Sequence, residues 1–508
     1  MMTVPDRMSG MPLSALLRGF VDFIARQDFV IQRLTLDSRT IVRGDLFIAI
    51  PGKTVDGRRY IDDAIARGAT AVVWQSEAGS QPIPISWRTS ASGEPLPVIA
   101  IDNLTHKVGV LADRFYQSPT KSLYTVGITG TNGKTSVSQF IAQALGETKP
   151  CGVIGTMGWG FLQQLRTSAH TTPDAVTCHR QLAELRDSGA RAVAMEVSSH
   201  ALDQGRVSGV HFDCAVFTNL THDHLDYHGD MQAYADAKAR LFNWPELKSQ
   251  IINQDDAYGR SLIEQRSAHV NLLRYGLDKF HGMPELFADA IRYHSDGMSF
   301  QLHTPYGSGQ LDLQLFGEFN VNNLLATSGV LLEAGVPFDT ALQRLQQLKP
   351  IGGRMQVMHA SDKPIVIIDY AHTPDALQQI LSATRQHNFG KLWLVFGCGG
   401  DRDKAKRPVM GAIAQSFADR VVLTNDNPRH EAAEQIIEQI RAGISDDNDV
   451  VIEMDRARAI RYALHHADKQ DVVVIAGKGH ETYQQIGDNK FPFSDTAVVA
   501  AFLSGEQA

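Results

Sequence analysis

Apolar and polar positions alternate in blocks along this chain, and the blocks divide it into three stretches of strand and helix. The first, residues 1–122, carries short apolar segments at Leu46–Ile50, Ala71–Trp74 and Val98–Ile101, with a helical pattern at Ile61–Arg67. This predicts a small mixed α/β domain, closed by a linker at Gln117-Ser118-Pro119-Thr120. The second, residues 123–350, opens on an apolar strand at Tyr124 and continues through Arg191–Val197 and Cys214–Asn219, which predicts a mostly parallel sheet in an α/β domain. The third, residues 351–508, places strands at Ile365–Asp369, Lys391–Phe396, Arg420–Thr424 and Asp471–Ile475, with helices opening at Pro374 and Glu431. That alternation is doubly wound and Rossmann-like, and its polar segments follow the strands, where open α/β sheets bind ligands.

Three domains suit the length of 508 residues, which exceeds what one hydrophobic core supports. With 43% hydrophobic and 20% charged residues the composition is globular, and apolar runs such as Val472–Ala476 are far too short to span a membrane. Asp6, Arg7, Arg18 and Asp22 interrupt the N-terminal apolar residues, so no signal peptide is expected and the chain reads as cytoplasmic. Cys151, Cys178, Cys214 and Cys398 form no C-x-x-C pair and are expected to be buried free thiols. The net charge of −8 and the lack of a basic run argue against nucleic acid as a partner. Small acidic molecules fit better, and with no heptad repeat or exposed apolar helix in the pattern a monomer is expected.

The most constrained stretch is YTVGITGTNGKTSVSQF, residues 124–140. A strand runs into Gly130-Thr131-Asn132-Gly133 and then into a helix headed by Lys134, Thr135 and Ser136. Glycines let backbone N–H groups close around phosphate oxygens, the helix terminus adds positive potential, the lysine reaches the terminal phosphates and Thr135 can hold Mg²⁺. The spacing departs from the common phosphate-loop pattern, since Ile128 stands where its first glycine would fall and Gly127 lies one place further out. A purely structural glycine turn is the alternative. Downstream, Glu196 and the run Thr221-His222-Asp223-His224-Leu225-Asp226-Tyr227-His228 supply ligands for Mg²⁺: Glu196 with Thr135 for one ion, His224 for a second. Any one of these histidines alone reads as a surface side chain.

GTNGKT, MEVSSH, NLTHDHLDYHGD, FGEFNVNN, DYAHTPDAL, FGCGGDRDKAKRP, DNPR and GKGHETYQ together resemble the Mur ligase family of peptidoglycan synthesis, over nearly the whole chain. The resemblance implies a UDP-binding N-terminal domain, a central ATPase domain and a C-terminal dinucleotide-fold-like domain that receives an amino acid. It implies that Leu36, Ser38 and the Lys53-Thr54-Val55 loop hold the uridine end, and that Thr171, Thr172, Ser198, Gln204 and Arg206 hold the sugar-peptide. His170 and His222 depart from the family pattern, which has Asn and Arg there. Asn320 and Asn323 match the motif beside the nucleotide base, and Arg354, Asp369 and His372 match residues that close over ATP.

Lys238, in YADAKARLF, stands where the family carries a carbamylated lysine (N6-carboxylysine), a carboxylate-like group able to bind or orient Mg²⁺. Spacing alone reads it as an exposed charge. Lys134, Glu196, His224 and Lys238 are thus the implied catalytic set, with Thr135, Glu196, His224 and the Lys238 carbamate as metal ligands.

For the amino acid, Arg402, Asp426-Asn427-Pro428-Arg429, Gly477 and Glu481 are the implied contacts. Arg429 offers a bidentate fork for the second carboxylate of meso-diaminopimelate, which lysine lacks, and Asp426 and Glu481 can hold ammonium groups. Read without the resemblance, Asn427-Pro428 is equally a turn closing a βα loop. The implied activity is ATP- and Mg²⁺-dependent addition of meso-2,6-diaminopimelate to UDP-N-acetylmuramoyl-L-alanyl-D-glutamate through an acyl phosphate. An L-lysine-adding ligase, a folylpolyglutamate synthetase and a phosphate-loop switch without ligase activity are the alternatives.

Overall fold

Branched and aromatic residues form a parallel array of strands, Arg33–Thr35, Asp45–Ala49, Ala71–Gln75 and Pro95–Ile101, extended at one edge by the antiparallel Ser86–Thr89. The computed structural model describes residues 10–21, 28–52, 55–77, 85–90, 92–146, 149–294, 297–387 and 390–505. They fall into two compact units, one of Met1–Gly127, Glu147–Asp213 and Ala237–Lys248, the other of Ile128–Gly146, Cys214–Asp236 and Ser249–Ala508.

In the first unit the strand period of two sorts the side chains. Leu46, Ile48, Val73 and Ile99 pack on the helices Leu13–Leu17 and Leu104–Phe115, whereas Phe47, Ala49, Val72 and Val98 face Ala64 and Ile65 of Ile61–Ala66. The same unit holds the parallel strands Cys151–Gly155 and Ala192–Glu196, with Gly158–Gly160 antiparallel to the former. Helix Ala175–Asp187 begins where Asp174 Oδ1 accepts from Thr177 N at 3.0 Å.

In the second unit Cys214–Phe217, Ser249–Asn253, Asn271–Gly276 and Leu286–His294 run parallel. The expected parallel order then gives way to an antiparallel meander, Leu286–His294, Gly297–Thr304 and Gly307–Leu313. The C-terminal sheet has the order Gln356–Met358, Ile365–Asp369, Val472–Ala476, Leu392–Phe396, Arg420–Leu423, Val450–Ile452. One face, with Ile367, Leu394, Leu423 and Val474, packs on Pro374–Arg385, Lys406–Phe417 and Ala433–Arg441. The other, with Ile368, Val395, Val422 and Val473, packs on Arg456–His466 and Asp495–Ser504. Helices on both faces make it doubly wound, as its strand pattern predicted. The helix expected from Glu431 starts instead at Ala433, because the Glu431 carboxylate is engaged by Arg407 and by Asp401 N.

Arg456 and Asp495 are both fully buried, with Nε–Oδ1 at 2.8 Å and Nη2–Oδ2 at 2.9 Å, and Arg456 Nη2 also donates to Ala476 O at 3.0 Å. This pair ties two helices to the end of a central strand. Asp495→Ala leaves a buried guanidinium without its counter-ion and is expected to cost roughly 3–5 kcal/mol of stability. Denaturant unfolding followed by circular dichroism checks this.

Candidate active site

The loop between strand Tyr124–Thr129 and helix Lys134–Leu145 has Gly130 at φ 147° and Gly133 at φ 86°. A Cβ on Gly130 would lie 1.9 Å from Thr218 Oγ1, so the close approach excludes any side chain there. The segment Thr218 to Thr221 braces the loop. Thr218 Oγ1 donates to Asn132 O at 2.6 Å, Asn132 N to Asn219 Oδ1 at 2.9 Å, Thr131 N to Asn219 O at 2.9 Å and Thr221 N to Thr131 Oγ1 at 3.0 Å. Lys134 Nζ donates to the Gly130 and Thr131 carbonyls at 2.8 and 2.9 Å, which centres its charge on the loop. Thr135 and Ser136 are buried at the helix start. Asn323 lies against the loop, since a Cβ on Gly133 would meet its Oδ1 at 2.7 Å, and its Nδ2 donates to Asn320 Oδ1 at 2.9 Å.

The C-terminal sheet of the same unit reaches this loop. Arg354 Nη2 lies 3.4 Å from Thr135 Oγ1, and its guanidinium sits 4.7 Å over the Tyr370 ring. Asp369 accepts from Met355 N and Ala371 N, each at 2.7 Å. Burial pushes the Asp369 carboxyl up, while Arg354 beside it acts in the opposite sense. His372 Nδ1 lies 2.8 Å from Tyr370 O. His224 adopts φ 55°, a left-handed backbone at the head of Leu225–His228, with its ring edge-on to Tyr234 at 6.0 Å. His222 is exposed.

Past the ends of strands Arg420–Leu423 and Val472–Ala476 lies a cluster of polar side chains. Its centre is Lys478, fully buried, which the sequence reading missed because a lysine between two glycines looks like a surface turn. Lys478 Nζ donates to Glu481 Oε2 at 2.8 Å and Asn427 Oδ1 at 3.1 Å, and lies 4.0 Å from Asp426 Oδ1. Asn427 Nδ2 donates to the same Glu481 oxygen at 2.9 Å. A Cβ on Gly477, at φ 114°, would meet Asp426 Oδ2 at 2.5 Å. Pro428 presses its carbonyl to within 1.9 Å of where a Gly400 Cβ would stand. Arg429, at φ 50°, donates from Nη1 to Gly400 O at 2.6 Å. A Cβ on Gly399 would be 3.0 Å from Arg429 Nη1 and 3.9 Å from Arg402 Cγ, so both side chains pass close to that glycine, and exposed Arg402 donates from Nη1 to Asp401 O at 3.1 Å. All seven residues expected at the amino acid therefore gather here.

In the first unit Glu196 is buried, its Oε1 accepting from Thr156 N at 2.9 Å and its Oε2 from Thr156 Oγ1 at 3.0 Å. Thr156, also missed, lies 3.0 Å from Thr171 Oγ1. Thr172 Oγ1 donates to Glu196 O at 2.9 Å and accepts from Ser198 N at 3.0 Å, and Arg206 Nη1 donates to Thr172 O at 3.0 Å while its Nη2 holds Gln204 Oε1 at 2.6 Å. One network thus joins all five expected sugar-peptide residues to Glu196. Lys238 is only 1% exposed, so the surface reading from spacing alone is corrected. Ser38 is buried at the start of the turn Ser38–Thr40, Leu36 is half-buried, Val55 is exposed and accepts from Gly52 N at 3.0 Å, and His170 is exposed; Lys53 and Thr54 lie outside the described residues. The hydroxyls of Thr135 and Ser136 and the Glu196 carboxylate are hard oxygen donors of the kind Mg²⁺ takes beside phosphate. All four cysteines are buried, and burial pushes the Cys151 and Cys398 thiols up to about 12.

Beside Arg429, His430 Nδ1 lies 2.8 Å from Asp401 Oδ2 and Nε2 3.3 Å from Asp488 Oδ1, clipping three loops. The Asp401 hydrogen bond raises the His430 pKa and lowers that of Asp401. With the imidazole raised, the clip is fully formed below its ordinary pKa and is lost as pH rises through the raised one; the acid limit is the lowered Asp401 pKa. An NMR titration of His430 is expected to show a midpoint above that of a free imidazole, and Asp401→Asn to return it toward the ordinary value.

Comparison with known proteins matches residues 30–116 to the Mur ligase family catalytic domain, 128–331 to the Mur ligase middle domain and 353–479 to the Mur ligase glutamate ligase domain. A UDP-N-acetylmuramoyl-L-alanyl-D-glutamate–2,6-diaminopimelate ligase of Coxiella burnetii is 48% identical over 92% of this chain and 94% of its own. A solved structure of such a ligase is 35% identical, covers 98% of this chain and 99% of its own, and has a TM-score of 0.70. The MurF ligase of Thermotoga maritima, solved in complex with ADP, shares the fold at 17% identity and TM-score 0.61, over 93% of this chain and 96% of its own. Three matched domains in the family's order and near-half identity along almost the full length show that the chain belongs to the Mur ligase family.

Proposed function

We propose that this chain is an ATP-dependent ligase that joins meso-2,6-diaminopimelate to UDP-N-acetylmuramoyl-L-alanyl-D-glutamate, a cytoplasmic step of peptidoglycan precursor synthesis, and that it works as a monomer. The observation that carries the reading is the polar cluster past the C-terminal strands: Arg429 and Arg402 close to Gly399, and two carboxylates, Asp426 and Glu481, ordered by buried Lys478. An amino-carboxylate end needs both signs of charge, and this cluster offers both. We assign residues 1–122 to the nucleotide-sugar, 123–350 to ATP and 351–508 to the amino acid.

Joining a carboxylate to an amine in water requires an activated acyl group. The γ-phosphoryl group passes to the D-glutamyl carboxylate, giving an acyl phosphate and ADP, and the amine of diaminopimelate then displaces phosphate to form the amide. Lys134, with the N-terminus of the helix that it heads, spreads the charge that develops on the transferring phosphoryl. Asn320 and Asn323 serve the base; Arg354, Asp369 and His372 serve the nucleotide from the C-terminal sheet. Leu36, Ser38 and the Lys53-Thr54-Val55 loop hold the uridine end, and Thr171, Thr172, Ser198, Gln204 and Arg206 hold the sugar-peptide. Thr135, His224, Glu196 and the Lys238 carbamate are the residues that would hold Mg²⁺, which when bound would supply neutralisation of phosphate charge. The carbamate forms when the neutral Lys238 amine adds CO₂ and releases a proton.

Phosphate release is expected only when ATP, Mg²⁺, the UDP-dipeptide and meso-diaminopimelate are all present, with a tripeptide product by mass. L-Lysine should be worse by about 10⁴-fold in kcat/KM, because it leaves the arginine fork unpaired. Equal turnover with L-lysine contradicts the assignment of Arg429, and release indifferent to the acceptor contradicts ligation altogether. Lys134→Ala is expected to abolish ADP formation while nucleotide-sugar binding, measured by calorimetry, persists.

A further inference from the structure

Asp375 stands on the first turn of helix Pro374–Arg385 and has no role in the contacts assigned above. Its Oδ2 accepts three hydrogen bonds: from Asn132 Nδ2 at 2.8 Å, Thr221 Oγ1 at 3.2 Å and Gln379 Nε2 at 3.0 Å. Asn132 belongs to the phosphate loop and Thr221 to its brace, whereas Gln379 lies one turn along the helix of Asp375. A single oxygen therefore joins the loop, the brace and the first helix of the C-terminal sheet.

Helix capping does not account for this arrangement. Thr373 already caps the helix, its Oγ1 accepting from Ala376 N at 3.3 Å. An acid in the first turn gains from the helix dipole wherever its side chain points, so the dipole gives no reason for the carboxylate to meet Asn132 and Thr221. A charged acceptor binds such donors more strongly than a neutral one. The stretch that leads into the helix also carries Asp369, whose carboxylate holds Met355 N next to Arg354, and Arg354 reaches Thr135. The phosphate loop is thus gripped at both ends by one segment, through Arg354 at Thr135 and through Asp375 at Asn132.

We propose that Asp375 is a positioning residue that fastens the phosphate loop to the amino-acid-binding sheet through Asn132 and Thr221, holding the transferring phosphoryl group and the incoming amine in one geometry. The proposal rests on the ligase reading for its kinetic consequence but not for the contact itself. Misplacing reacting groups by about an ångström can lower turnover about a hundred-fold while binding of each substrate persists.

The test combines Asp375→Ala, Asp375→Glu, Thr221→Val and the double variant Thr221→Val/Asp375→Ala in the full chain. Asp375→Ala is expected to lower kcat about ten- to a hundred-fold, with KM for ATP and diaminopimelate within about three-fold of the parent. Thr221→Val should lower kcat less, and the double variant no further than Asp375→Ala, because both changes cut the same link. Asp375→Glu, which keeps the carboxylate, should recover part of the loss. Effects of the two single changes that multiply, or a loss confined to the melting temperature with kcat intact, overturn the proposal. Amide hydrogen exchange without substrates supplies a readout independent of turnover: residues 130–135 and 219–222 should exchange faster in Asp375→Ala and in Thr221→Val. Unchanged exchange there overturns the proposal, whereas faster exchange in a chain that makes no tripeptide leaves the fastening intact and removes the ligase reading instead.

Discussion

A glycine turn between a strand and a helix serves a ligand only if its shape is fixed in advance, and here that shape depends on Thr218. Its hydroxyl holds Asn132 O at 2.6 Å and fills the space that a side chain on Gly130 would need. Asn219 takes Thr131 N and Asn132 N, so the loop's shape is set by a neighbouring segment rather than by its own sequence. A loop held in this way needs no rearrangement as charge develops in the transition state. The helix Lys134–Leu145 and the paired Asn320 and Asn323 pack against the same frame.

Charge burial does comparable work in the C-terminal sheet. Arg407 is fully buried against Glu431, and the pairing holds that carboxyl down to about 2. Lys478 is buried against Glu481, and Arg456 against Asp495. Ions this deep are costly unless paired, and the pairs fix loop positions that hydrophobic packing would leave open. The Lys404–Glu431 and Arg407–Glu431 contacts shape the loop bearing Arg402, while Lys478 fixes Asn427 and Glu481 in register. These loops are therefore held by buried ion pairs, with the exposed His430 clip as their pH-sensitive edge.

Much of this was legible in the chain. Strands such as Ile365–Asp369 and Val472–Ala476 are buried on both faces and read as unbroken apolar runs, so their placement was within a residue or two. The meander Leu286–His294, Gly297–Thr304 and Gly307–Leu313 was not foreseen: its last two strands alternate buried apolar with polar residues, but Leu286–His294 breaks the alternation at a register shift between Asp289 and Arg292. Residues from the dense motifs do lie together, as in the 130–135 loop with Asn219 and Asn323 and in Asn427 with Lys478 and Glu481. Thr156, Asp375 and Lys478 were missed, since each makes its contact with residues distant in sequence or reads locally as a turn or helix residue. Lys238 shows the converse: spacing placed it at the surface, whereas the fold buries it.

The central claim is that the chain activates a carboxylate by phosphorylation before an amine attacks it. Supplying the UDP-dipeptide with ¹⁸O in the D-glutamyl carboxylate and analysing the released phosphate by mass spectrometry tests this most directly. One ¹⁸O atom transferred to phosphate for each amide formed is the predicted result. Unlabelled phosphate accompanying amide formation would contradict the acyl-phosphate route and the role given to the phosphate loop.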